Sequence, residues 1–311
     1  MAVSAFLVIV SLTINFVIFR LIPGNPVDLI GGPRLTAPQV AELKHSFGLD
    51  RPFWEQYFVY LGNYLTGQWG NSFYTGRPIM DEISGRIWNT IILVSLSSII
   101  AGTVGLYLAL VSGRSYGKIR SGFAISASLV IYSFPVFWLG LVLVMIFAVV
   151  LGWFPVGGTT SPVPPTDPLL ASADYIAHLA LPLMTLILSG IGASVIITRG
   201  AIFQELKQDY VLTAKAKGLS ETQVLFRHVL RNSLLPLITF TALNFGYILA
   251  GAILVEIVFS WNGLGTYIFN AVLNLDYPAL QASFFLISLG VIIANLLADF
   301  AYARLDPRIR R

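Results

Sequence analysis

The sequence predicts an all-α polytopic membrane protein that crosses the bilayer six times. Three observations predict it. Of 311 residues, 56% are apolar and only 11% charged, against about 45–50% and about 25% in soluble domains. Six apolar stretches reach the roughly 20 residues a helix needs to cross a hydrocarbon core about 30 Å thick. Basic residues gather in alternate connections between those stretches. Charged side chains are too few to cover a water-facing surface, so a soluble globular enzyme is excluded, and the apolar content excludes a disordered or fibrous chain. With no cysteine, disulfides, thiolate metal sites and cysteine nucleophiles are excluded as well.

The spans are expected at about Val3 to Ile22, Asn89 to Ser112, Phe123 to Leu151, Leu179 to Thr198, Leu234 to Phe259 and Ala279 to Ala298. The first apolar run is too long for the core of a signal peptide and no basic residue precedes it, so it reads as a retained span. The third is long and carries Pro135. The domain reading is a first transmembrane helix at 1–22, an extracytoplasmic segment at 23–88, a core at 89–303 with a structured loop at 200–233, and a tail at 304–311.

Arg114, Lys118 and Arg120 lie between spans two and three. Arg199, Lys207, Lys215, Lys217, Arg227 and Arg231 lie between four and five, and Arg304, Arg308, Arg310 and Arg311 in the tail. The connections between three and four and between five and six have no basic residue. Basic residues collect on the cytoplasmic side, which places both termini and these two loops there, in a multi-pass protein of the cell membrane.

The segment from Pro23 to Trp88 reads as folded. Thr36 with Gln39, and Pro38 in the first turn, marks a helix start. Phe53, Trp54, Tyr57, Phe58, Tyr60, Leu61 and Tyr64 recur at helical spacing. A lid or docking platform and aromatic residues sitting at headgroup depth are equally open readings. Gly157 to Pro168, rich in Gly, Thr and Pro, reads as a plain outer loop.

The most informative stretch is Glu205 to Pro236. Helix-forming residues lead to Lys215 and Lys217, cations suited to a helix C-terminus, and Gly218 follows as the residue that ends a helix in the left-handed conformation. Ser220 with Gln223 forms a capping box for a second helix, Glu221 to about Asn232. Val224, Leu225 and Val229 lie on one side of that helix and Arg227, His228 and Arg231 on the other, with Leu235-Pro236 opening the next span. Such an amphipathic helix, with no soluble domain of its own chain to pack on, needs either headgroups or another protein.

This stretch resembles the cytoplasmic loop of permease subunits of ABC importers, most closely the B-subunit side of the peptide/nickel branch. The matching residues are Asp209-Tyr210-Val211, Thr213-Ala214, Ala216-Lys217-Gly218-Leu219-Ser220, Arg227-His228 and Leu230-Arg231-Asn232. Outside the loop they are Leu21-Ile22-Pro23-Gly24 with Pro26, Gly48-Leu49-Asp50-Arg51-Pro52, Thr75-Gly76-Arg77-Pro78, Ser133 to Gly140, Val255-Glu256, Phe259-Ser260-Trp261, Gly263-Leu264-Gly265 and Leu305 to Arg310. Each motif is weak alone, but their order and spacing cover nearly the whole chain.

The resemblance implies a type I permease fold and one half of a translocation pathway for peptides or similar small solutes. It implies a heterodimer with a second homologous permease, two ATPase subunits that hold ATP and Mg, and an extracellular or periplasmic substrate-binding protein. No cofactor and no nucleic acid is expected in this chain. Thr213, Ala214, Ala216, Lys217, Gly218, Leu219, Ser220, Val224, Arg227 and His228 would couple to the ATPases. Two departures stand out. The general importer signature has Glu six residues before the glycine, where this chain has Leu212, and its Leu-Pro pair falls earlier after the glycine than here. Family members also usually carry a basic stretch before the first span, so a truncated or misassigned start is the expectation at the N-terminus.

Within the spans, Glu256 is an acidic residue that either faces the pathway or a neighbouring chain, or snorkels or caps a helix; burial at mid-membrane costs about 2.5–3.5 kcal/mol, and less near the outer end of span five, where Glu256 lies. Pro135 with Ser133 breaks span three, as a kink lining the pathway or as a structural bend. Asn244 and Asn295 read first as interhelical hydrogen bonds, and Ser189 with Ala193 as a small-residue packing face. Ser133, Pro135, Trp138, Asn244 and Glu256 form the candidate pathway set. His45, His178 and His228 are isolated, so no metal site is expected.

No Gly-x-x-x-x-Gly-Lys-Ser/Thr loop occurs, and Gly113 with Gly117-Lys118 has the wrong spacing. No His-Glu-x-x-His occurs either, so the chain is not expected to be an enzyme. An ion-gradient-driven transporter is the alternative, as is an importer of this type carrying nickel or oligosaccharides.

Overall fold

The computed structural model describes residues 2–21, 38, 50–114 and 119–305. Thr36, Gln39, His45, Lys118 and the tail beyond Leu305 lie outside the described residues, as do the side chains of 239–251, Asn244 among them. The helices in chain order are α1 (Ala2–Leu21), α2 (Phe53–Leu65), α3 (Ile79–Arg114), α4 (Ile119–Tyr132), α5 (Val136–Leu143), α6 (Pro168–Leu206), α7 (Asp209–Ala216), α8 (Glu221–Val224), α9 (Leu230–Val258), α10 (Leu264–Leu273) and α11 (Tyr277–Leu305). π-Helical turns at Val144–Val150 and Leu225–Val229 follow α5 and α8. No strand occurs among the described residues, and the only pairing of that kind is an isolated bridge between Asn71 and Pro78.

Four helical stretches among these are long and apolar enough to cross a membrane: Val3–Leu21, Ile79–Val111, Pro168–Leu206 and Tyr277–Phe300. Span three is broken at Pro135 as expected, and the break is sharp. Ser126–Tyr132 and Val136–Val150 meet at 101°. Pro135 has no N–H to continue the ladder and disfavours helical geometry at Phe134, so α4 stops at Tyr132 and Pro135 starts α5 anew as its N-cap. If this bent pair is one crossing, it is a fifth span.

The chain divides into two units. In the first, Met1–Asn89 with Gly263–Ile292, α1 packs against α2 and α11. Leu12, Tyr64 and Phe285 form the buried centre, with Tyr60, Leu61 and Trp69 around it. The Phe16 ring meets Phe53, Tyr57 and Tyr60 at 5.1, 5.4 and 5.2 Å, each aromatic pair contributing about 0.5–1.5 kcal/mol beyond its burial. Asn15 Nδ2 donates to the Gln281 carbonyl at 2.8 Å.

A buried carboxylate, Asp276, organises the other end of this unit. It accepts the Ser72 hydroxyl and the Phe73 N–H at 3.0 Å, and caps α11 through the Ala279 N–H at 3.4 Å. One side chain thus fixes both the turn Ser72–Arg77 and the start of a long helix. Tyr267 OH donates to Glu82 Oε2 at 2.9 Å, and Arg86 lies over the Tyr267 ring at 4.9 Å. Burial and then the Glu82 contact push the Tyr267 phenol well above its ordinary pKa.

In the second unit, Thr90–Asn262 with Ile293–Arg311, α6 packs against α4, α5 and α9. Gly192 permits a close crossing of α6 and α4: a Cβ there would collide with Tyr132 Cβ and come within 2.7 Å of the Ser128 carbonyl. The loop before α6 is more than a plain connection. Asp167 caps α6 by accepting from Leu169 and Leu170 N–H, with Pro168 in the first turn. Asp174 accepts the Ser161 N–H at 2.8 Å and its hydroxyl at 2.5 Å, and Gly158 N–H reaches the Phe259 carbonyl at 2.8 Å.

Candidate coupling site

The stretch after α6 folds as an elbow of short helices closed against the chain itself. α7 ends in a Schellman motif: Gly218 N–H bonds to the Lys215 carbonyl at 2.9 Å and Leu219 N–H to the Ala214 carbonyl at 3.3 Å. Gly218 takes φ +81°, and no atom lies within 4 Å of where a Cβ would stand. Its necessity therefore comes from backbone conformation, not from crowding. Ser220 then caps α8 in the expected box, donating its N–H to Gln223 Oε1 at 2.9 Å and accepting the Gln223 N–H at 3.4 Å.

Two expectations are corrected. The second helix does not stop near Asn232 before a new start at Leu235-Pro236. It passes from α8 through the π turn Leu225–Val229 directly into α9, with Pro236 inside that helix. A proline there forfeits one ladder bond, a loss tolerated in spans where neighbouring groups satisfy the freed carbonyl. Nor does the apolar side await an outside partner. Val224, Leu225 and Val229 pack with Val211 and Ala214 against Ala109 of α3 and Ile202 of α6, and Leu219 and Tyr210 close the edge.

Of the expected coupling residues, Ala214 and Val224 thus belong to this interior. Thr213, Ala216, Lys217, Gly218, Ser220 and Arg227 are exposed, and Leu219 and His228 half-buried. Two apolar side chains also stand out on the ridge, Leu212 at 67% and Phe226 at 51% exposure.

A polar latch that periodicity did not reveal ties the base of the elbow. Glu205, in the last turn of α6, accepts the Tyr210 hydroxyl and Asn232 Nδ2, the latter at 3.1 Å; Asn232 Nδ2 also lies 3.4 Å from the Tyr210 oxygen. Burial first, then the Glu205 hydrogen bond, pushes the Tyr210 phenol up to about 12. All three residues fall in the stretch singled out from sequence, but a contact across 27 residues leaves no periodic signal.

Residues 101–311 match the family described as the binding-protein-dependent transport system inner membrane component, and residues 1–94 match its N-terminal family. The chain belongs to this family. It is a membrane permease subunit of an ABC importer. The permease is 38% identical to the di/tripeptide transport system permease DppB of Pseudomonas aeruginosa, over 96% of this chain and 93% of that one. It is 36% identical to the oligopeptide permease AppB of Bacillus subtilis, over 97% and 95%, and 36% identical to the glutathione permease GsiC of Escherichia coli K12, over 98% and 94%. Its fold is similar to that of a solved methionine ABC transporter, MetNI, in inward-facing form, with a TM-score of 0.58 at 13% identity, covering 74% of this chain and 99% of that one. This is the type I permease fold expected.

In the permease, the candidate pathway residues separate. Ser133, Pro135 and Trp138 are all exposed at the 101° break, where the Phe134 and Trp138 rings stack at 4.6 Å and Ser133 Oγ donates to the Leu129 carbonyl at 2.9 Å. Glu256 is instead 0% exposed, and accepts the Thr90 hydroxyl at 2.6 Å. Here it joins α3 to α9 within the protein and opens on no surface. No group of three or more His, Asp or Glu able to hold a metal occurs among the described residues.

Proposed function

We propose that this permease forms one half of a peptide translocation pathway. In this reading it crosses the membrane six times with both termini cytoplasmic. Its partners are a second homologous permease, two ATPase subunits that hold ATP and Mg, and an extracytoplasmic substrate-binding protein. The observation that carries the reading is the elbow, whose apolar side is used up inside the chain while its polar ridge stands free. That ridge (Thr213, Ala216 to Leu219, Ser220, Arg227 and His228, with Leu212 and Phe226) is the surface offered to the ATPases.

The mechanism follows from how the ridge is mounted. Its inner side is packed on α3 and α6, and its far end runs without a loop into α9. A push delivered on α8, just past the Gly218 turn, therefore reaches the spans through continuous helix, with little slack to absorb it. Closure of the ATPases shifts the spans between two arrangements, each favoured by a different ligand state. Ser133, Pro135 and Trp138 at the break in span three are the part of the pathway this chain contributes. Peptides are the substrate class most in keeping with the relatives' names.

The test is uptake of labelled di- and tripeptides into vesicles holding the complete importer, with ATP hydrolysis measured in parallel. Uptake that follows ATP and stimulates its hydrolysis supports the reading. Uptake that persists without ATP and collapses with an ionophore identifies a gradient-driven transporter instead. Competition by nickel or oligosaccharides, with none by peptides, would reassign the substrate.

A further inference from the structure

We propose that α2 is an amphipathic helix set into one leaflet of the bilayer, the outer one under the orientation above, with Trp54, Phe58 and Leu65 against lipid acyl chains. The proposal uses α1 and α11 as spans and does not depend on what is transported.

Depth can be read from two rulers. Phe53 meets Phe16 of α1, the Tyr57 hydroxyl lies 2.7 Å from Thr13 Oγ1, and Tyr64 packs on Leu12. Counted from Leu21, these contacts fall roughly 7 to 14 Å along α1, at 1.5 Å per residue. Tyr64 also meets Phe285 at 5.5 Å between ring centres, and Phe285 lies about 12 Å inside the Tyr277 end of α11 by the same rise. Half of a hydrocarbon core is about 15 Å. Both rulers put α2 alongside the membrane-crossing part of its neighbours, not beyond their ends.

The helix has three sides at 100° per residue. Tyr57, Tyr60, Leu61 and Tyr64 form the side turned to α1 and α11. Next to it lie Trp54, Phe58 and Leu65, exposed by 65, 66 and 57%. Glu55 and Asn63, both exposed, lie on the third side with the smaller Val59 between them, and Glu55 is the only charged residue in α2. A helix wholly in water would leave the second side uncovered at about 25 cal/mol per Å² of apolar surface. A helix wholly in hydrocarbon would strand Glu55. Lying in the leaflet, with the polar side toward headgroups, satisfies both, as interfacial helices do. Lipid is the occupant because α2 lies alongside the membrane-crossing part of α1, a helix that itself exposes apolar side chains such as Ile14 and Ile18.

The chain has no cysteine, so single cysteines report cleanly. Nitroxide labels are placed at Trp54→Cys, Phe58→Cys, Leu65→Cys, Glu55→Cys and Asn63→Cys in the full-length permease. The labelled chains are reconstituted with their partner subunits in phosphatidylethanolamine/phosphatidylglycerol vesicles. Ile14→Cys gives the lipid reference. Collisions with oxygen should exceed those with a water-soluble nickel chelate several-fold at 54, 58 and 65, as at 14, and the ratio should reverse at 55 and 63. Nickel collisions at 58 and 65 equal to those at 55 would put α2 in water and overturn the proposal. Labels at 58 and 65 immobilised and reached by neither reagent would overturn it in favour of a protein cover. Sidedness, read by adding the nickel chelate to one side only, tests the orientation separately from depth.

Discussion

Asn232, at the start of α9, donates its side-chain amide to Glu205, at the end of α6, across 27 residues and 3.1 Å. Tyr210 donates to the same carboxylate oxygen. The two long helices that flank the elbow are therefore fastened to each other and to α7 at one point. Hydrogen bonds to charged groups contribute about 1.5–3 kcal/mol each, so this latch holds the elbow's base in one geometry.

Removing the latch should separate motor from transport. Tyr210→Phe and Asn232→Ala each leave the apolar interior intact, so the permease should assemble normally. Peptide uptake per ATP hydrolysed should fall several-fold while basal hydrolysis stays near its original level. Equal loss of both activities would show that these residues serve only folding.

The latch also has a pH signature. The Tyr210 phenol is raised from an ordinary value of 10.0 to about 12, so folding favours its protonated form. That contribution is complete below about pH 10 and is lost as pH climbs toward about 12. Tyrosinate absorbance at 295 nm, taken as the difference between the parent and Tyr210→Phe, should show a component titrating near about 12. A component titrating at 10 would contradict the hydrogen-bonded geometry.

Gly218 isolates backbone conformation from crowding. A non-glycine residue in the left-handed region costs about 1–2 kcal/mol, with Asn the best tolerated. Since nothing lies within 4 Å of a Cβ there, Gly218→Asn should keep most of the uptake and Gly218→Val should lose most of it. Equal activity of the two variants would count against the role of the Schellman turn.

Asp276 holds a turn and a helix start with one buried carboxylate. Asp276→Ala should lower stability by about 2–3 kcal/mol, given the worth of hydrogen bonds to a charged group, visible as a lower thermal midpoint in detergent. Asp276→Asn, which keeps acceptor and cap, should lose less. An unchanged midpoint for Asp276→Ala would contradict the clasp.

The elbow was largely legible in the sequence because its signals are local. A glycine, a capping box three residues long and two cations mark its helices wherever the chain folds. What periodicity does not specify is where an amphipathic face is buried. Val224 and Leu225 read as a surface awaiting a partner, yet Ala109 and Ile202, about 20 to 115 residues upstream, supply it. Pro236 misled for a related reason: a proline ends helices in water, but inside a packed span its lost bond is made good by surroundings that the sequence does not display. Pro135 was legible as a break, not as one of 101°. Glu256 looked available because an acidic residue in a span usually marks function. Its partner Thr90, 166 residues away, carries no motif.

The ridge as a docking surface is the central claim, and one measurement tests it directly. Leu212→Asp with Phe226→Asp alters only the two most exposed apolar side chains of the elbow and leaves Val211, Val224 and Leu225 in place. The permease is purified with an affinity tag from cells that make the whole importer, and the ATPase subunits that accompany it are quantified. The account predicts a folded permease that retains its second permease partner and loses most of the ATPase. Full recovery of the ATPase with this double variant would contradict it.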